Sequence, residues 1–156
     1  MTGAWTRFWK LTGPERRDFF LGTILLPAAV VSLRVFNFRS VQRTLEKWCG
    51  DTGRTGARDD TAIFAEVQTA SSMMDAASRH GLVRGNCLSK SITLWWLLRR
   101  RGVPVQLRIG ARKIGAQFEA HAWIEMDGRV VNDSEDVRLR YSPFEGPITG
   151  KMAAQK

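Results

Sequence analysis

GNCLSKSITLWWLLRRRGVPV, residues 85–105, is the stretch on which the reading of this chain turns. Asn86 is a good N-cap, and the run from Cys87 to Arg101 reads as a helix stopped by Gly102 and Pro104. Leu88, Ile92, Trp95 and Trp96 line one face of it, and Leu94, Leu97 and Leu98 widen the apolar surface. A helix apolar on most sides belongs at the centre of a fold. Arg99, Arg100 and Arg101 close it, where cations suit the helix dipole. Its first turn holds Cys87, one of only two cysteines in the chain. A cysteine there is either a small packing residue or a thiol tuned by a helix N-terminus, and the rest of the sequence has to separate the two.

Downstream of this helix the period changes. Val105, Leu107 and Ile109 alternate with polar residues, as a strand does. Phe118 to Glu125 reads as a second strand, and Arg129 to about Asp133 as a third, joined through Asp127-Gly128. Upstream, Asp60 to about Arg79 is an amphipathic helix with Ile63, Val67, Ala70, Met74 and Ala77 at helical spacing, and His80-Gly81 ends it. Helices first, then one core helix leading into a small antiparallel sheet, is an α+β order. The expected division is 1–59, an apolar helical region with a Gly-rich loop, and 60–156, the core.

Thr12-Gly13-Pro14-Glu15 resembles a capping box. From Phe19 to Leu33 the chain carries no charge, but this is short of the roughly 20 residues that span a bilayer, and Pro27 interrupts it. Residues 19–38 are read as a helix docked on the core or on a partner, with peripheral membrane contact as the alternative. No secretory signal is evident, so a reducing cytoplasmic setting with two free thiols is expected. CGDTGRTGARDD, Cys49 to Asp60, is a polar loop without the Gly-Lys-Ser/Thr of a phosphate site. Two cysteines and two histidines in unrelated segments give no metal cluster, and no cofactor is indicated. The net charge of +9 favours acidic partners; no nucleic-acid recognition motif accompanies it, and nucleic acid is not expected as a partner.

His121 lies mid-strand in EAHAWIEMDGRVVND, where an imidazole on the face receiving the helix N-terminus would take the Cys87 proton. Asp133 is the candidate to orient that imidazole, and hairpin register tests the pairing. A three-residue loop, Met126-Asp127-Gly128, sets Asp133 directly opposite His121 and Glu125 opposite Arg129. A two-residue turn sends Asp133 to the other face and makes Asn132 the orienter. The chemistry therefore favours the three-residue loop.

Cys, His and Asp in that order on helix, strand and following strand bring a resemblance into view. From about Asn86 to Asp133 the chain resembles the transglutaminase-like cysteine peptidases that remove leader peptides in lasso-peptide biosynthesis. The matching residues are C-L-x-x-S from Cys87, LLRRRGVPVQLRIGA from Leu97, F-x-A-H-A-W-I-E from Phe118, and Asp133. The resemblance implies a papain-like core with Cys87 as nucleophile, His121 as base and Asp133 as orienter. It implies a lasso precursor peptide as substrate and a macrolactam cyclase acting on the product. Longer members carry a precursor-recognition domain, for which 156 residues leave no room. The expected form is therefore the split one, with a separate leader-recognition protein. Some members are linked with ATP, and the sequence leaves that requirement open.

Overall fold

The computed structural model describes residues 11–49 and 59–144. Four helices precede the sheet: α1 (Gly13–Val35), α2 (Phe38–Cys49), α3 (Asp60–His80) and α4 (Cys87–Arg100). The sheet follows, with β1 (Val105–Ile114), β2 (Gln117–Met126) and β3 (Arg129–Val130). A single turn, α5 (Val137–Arg140), leads to β4 (Ser142–Pro143). The strands are antiparallel in the order β3-β2-β1-β4. The architecture is α+β.

Local chemistry sets the helix boundaries. The Thr12 side chain accepts from the Glu15 backbone N–H, and the Glu15 carboxylate reaches back to the Thr12 N–H at 2.6 Å, so the capping box is complete. At α4, Asn86 Oδ1 accepts the Ser89 N–H at 2.8 Å, while Gly102, at φ +77°, ends the helix in the left-handed region. The five expected apolar positions of α3 are all buried. All but Ala77 join Ile92, Leu94, Trp95 and Leu98 of α4, and Val105, Ile124 and Met126 of the sheet, in the main core.

The apolar N-terminal helix lies on this core by one face. Leu26 is buried there, and at Gly22 a Cβ would sit 2.9 Å from the Ala77 Cβ, so α1 and α3 approach more closely than a side chain allows. Beside that contact Asp18 is 2% exposed and takes both Nη atoms of Arg101, the last of the three arginines. A carboxylate is buried only when paired, so this forked contact fixes the helix against the end of α4.

The second hairpin departs from expectation. Glu125 pairs with Val130 and Met126 with Arg129. The connection is thus the two-residue turn Asp127-Gly128, with φ +46° and +79°, a type I′ pattern. Glu125 does not face Arg129. It binds Arg108 Nε at 3.1 Å, Arg138 Nε at 2.9 Å and the Trp123 indole N–H at 2.8 Å. Nor does β3 reach Asp133, since it ends at Val130 with one further bond, Val131 N–H to Ile124 O at 2.9 Å.

Candidate active site

Alternation along β2 separates its side chains. Ala122, Ile124 and Met126 face the helices, whereas His121, Trp123 and Glu125 face the other way. There Trp123 packs with Val130, Val137 and Tyr141 in a second core. Gly110 stands opposite His121 in β1, and a Cβ there would meet the Trp123 ring at 2.9 Å and the Ser142 carbonyl at 2.8 Å. Only glycine leaves room for the indole at that point. His121 is therefore not on the helix-facing side of the sheet, as the sequence suggested.

His121 Nε2 lies 2.5 Å from Asp133 Oδ2, although register alone would have set them on opposite faces. The chain escapes that rule at Asn132. Its Oδ1 accepts the Ile124 N–H at 2.7 Å, taking the place of the next ladder carbonyl. Its Nδ2 donates to Ser91 Oγ at 2.8 Å, and that hydroxyl donates to the Ala122 carbonyl at 2.9 Å. With the ladder closed by a side chain, residue 133 is free of the two-residue alternation and turns towards the imidazole. Asn132 does not bind His121; it ends the strand instead.

Asp133 is held on all sides. Its Oδ1 accepts the Ser134 N–H at 2.7 Å, the Ser134 hydroxyl at 3.2 Å and Arg140 Nη2 at 3.3 Å. Partial burial pushes its carboxyl up, but the hydrogen bonds from His121 and Ser134 outweigh this and hold it below the usual range. It is ionised at neutral pH. The imidazole is fixed in turn by stacking on Tyr141, with centroids 4.9 Å apart, and on Trp123 at 6.4 Å. Tyr141 is buried and donates to Glu119 at 3.0 Å. Since Asp133 takes Nε2, Nδ1 is the nitrogen left to face a thiol.

Cys87 opens α4, partly buried and reduced. It lies one turn before Ser91 on the same helix face. The Ser91 hydroxyl is tied to Ala122, the neighbour of His121, and further along Trp95 and Leu98 share the core of Ile124 and Met126. Helix and strand run in the same sense, so Cys87 and His121 lie at the same end of the sheet. Because Asn86 caps Ser89, the Cys87 backbone N–H stays an orphan donor of the helix N-terminus.

Sequence reasoning missed Tyr141 and Arg140, and it held Ser91 only as the last residue of the C-L-x-x-S match, without its partner. Their partners are 20, 7 and 31 residues away, and no local pattern marks such pairs. Among the described residues no group of three His, Cys, Asp or Glu side chains could hold a metal ion.

The model of the transglutaminase-like superfamily matches residues 32–145. The chain belongs to the transglutaminase-like superfamily. A 61-residue stretch is also 33% identical to the microcin J25-processing protein McjB of Escherichia coli. That stretch is 39% of this chain and 28% of McjB, so the likeness spans little more than a quarter of that protein. No solved structure matches.

Proposed function

We propose that this chain is a cysteine peptidase that removes the leader from a ribosomally made lasso precursor peptide. It acts with a separate leader-recognition protein, and a macrolactam cyclase consumes its product. The observation that carries the reading is the short Nε2 to Oδ2 contact between His121 and Asp133, which leaves Nδ1 as the ring nitrogen open to serve as a base. The likeness to a microcin-processing protein supports a precursor peptide as the substrate.

In this mechanism His121 Nδ1 takes the Cys87 proton, and Asp133 holds the imidazole in place and stabilises the imidazolium. The thiolate attacks the carbonyl of the last leader residue. The oxyanion that forms is met by the Cys87 backbone N–H, and a preorganised donor of this kind contributes about 10²–10³ in rate. The imidazolium protonates the leaving amine, the C–N bond breaks and a thioester remains. Water, deprotonated by His121, cleaves the thioester and restores the thiol.

Membership of a transglutaminase-like superfamily favours one second reading, in which an amine replaces water as the acyl acceptor. Mass spectrometry separates the two. A cognate precursor is incubated with its recognition protein and either wild type or Cys87→Ala. The peptidase reading expects, with wild type alone, two fragments whose masses sum to precursor plus water. A product bearing an added amine supports transamidation. An intact precursor in an assembled complex, or equal cleavage by both proteins, overturns both.

A further inference from the structure

The N-terminal helix is apolar on two opposite sides, and among the described residues one of them packs on the core while the other is largely exposed. Gly22, Leu26, Ala29 and Leu33 face the core. Phe20, Ile24, Pro27, Val31 and Val35 recur at i, i+4, i+7, i+11 and i+15, a single stripe on the far side. Phe20, Ile24, Val31 and Val35, with Phe36 just beyond the helix, are 53–67% exposed. The stripe is about 22 Å long at the helical rise and carries no hydrogen-bonding side chain. Beside it, between α1 and α2, an open apolar groove of about 160 Å³ is lined by Leu25, Ala28, Ser32, Val41, Leu45 and Trp48, and Trp48 itself is 68% exposed.

Charge around this surface is predominantly positive. The two helices carry Arg16, Arg17, Arg34, Arg39, Arg43 and Lys47, and three carboxylates, Glu15, Asp18 and Glu46. All three are engaged: Glu15 in the capping box, Asp18 buried with Arg101, Glu46 with Gln42 at 2.9 Å. An apolar stripe with arginines at both ends and tryptophan beside it has the composition of an interfacial helix.

We propose that α1 lies flat on an anionic bilayer surface, its Phe20–Val35 stripe in the acyl boundary and its arginines among the headgroups. Of the helices described, α1 is the one long and apolar enough to cross a membrane, but crossing would strip the buried Asp18 from Arg101. In-plane docking keeps that pair and the core contacts intact. A protein partner fits less well, because protein interfaces carry about one hydrogen bond per 100–200 Å², and this stripe has no hydrogen-bonding side chain along its length. Such docking would hold the peptidase site at the membrane surface, and it stands whether or not the chain cleaves peptides.

The test is co-sedimentation of the full chain with phosphatidylcholine vesicles and with vesicles containing phosphatidylglycerol. At low salt the anionic vesicles should bind at least about tenfold more protein than neutral ones, and raised salt should reduce the difference. The Ile24→Asp/Val31→Asp variant changes only exposed positions, so it should keep the wild-type melting temperature while losing at least about tenfold in binding. Equal sedimentation with both vesicle types, or wild-type binding by that variant, overturns the proposal. So does a variant that keeps vesicle binding and loses a copurifying protein, which would mark the stripe as a protein interface.

Discussion

On one face of β2, Ala122, Ile124 and Met126 press against the helices; on the other, one residue out of step, stand His121, Trp123 and Glu125. The first face is closed mainly by apolar contact. The second is polar at both ends around a tryptophan, with Glu125 bonded to two arginines and His121 to Asp133. Between the faces, Ser91 and Asn132 tie helix, strand and strand exit together through the sheet edge. A strand can thus give one face to stability and the other to chemistry, provided something at its edge keeps them in register.

The largest break in that division should come from Asp133→Asn. Turnover of the precursor should fall about 10³–10⁴-fold, as the loss of an orienting carboxylate does in hydrolytic triads, while the melting temperature falls only modestly, by the stability its lowered carboxyl contributes. Product formation by mass spectrometry and a melting curve on the same sample check it. The converse change is Ile124→Ala, on the apolar face. It should cost about 2–5 kcal/mol in urea unfolding and leave the turnover of the folded fraction within a few-fold. A site that collapsed with it would show that the two faces are not separable.

Asn132→Ala sits on the seam and should register on both readouts. It leaves the Ile124 N–H unpaired and Ser91 without its donor, which costs about 1–3 kcal/mol. It also frees the exit that turns Asp133 towards His121, so turnover should fall while KM stays put. Proportional losses in both, with KM rising, would mean that Asn132 only supports the fold.

The smallest effect is in acid. Burial pushes the Glu125 carboxyl up, but bonds from Trp123, Arg108 and Arg138 outweigh it and hold it below the usual range. Asp133 is lowered likewise. A carboxylate lowered on folding adds stability above its unfolded pKa, near 4, that is lost as pH falls through the folded value. Wild-type melting temperature should therefore drop below about pH 4. Glu125→Gln should flatten part of that slope, whereas Ile124→Val should shift the whole curve without changing it.

Much of this was legible in the residues. Asn86, Gly102 and Pro104 bound α4 through local backbone chemistry, and so do Thr12 and Glu15 at the start of α1. The helix-to-sheet order followed from period alone. The hairpin misled for an instructive reason. Asp-Gly is a strong signal for a two-residue turn, and the expectation of a longer loop came from requiring His121 and Asp133 to be ladder partners. They meet outside the ladder, because Asn132 ends it with its own side chain. The Asp18–Arg101 pair, 83 residues apart, and Ser91 with Ala122, 31 apart, depend on tertiary packing that no local window contains.

The proposed chemistry depends most directly on the thiol at the head of α4, and its reactivity can be measured without substrate. Burial pushes the Cys49 thiol up, so it serves as an internal reference. Iodoacetamide alkylation of both cysteines near neutral pH, followed by peptide mass spectrometry, should show Cys87 reacting faster than Cys49, with the advantage lost in His121→Gln. Equal rates in the wild type, or a Cys87 rate indifferent to His121, would contradict a nucleophile activated by that histidine and return Cys87 to a packing role.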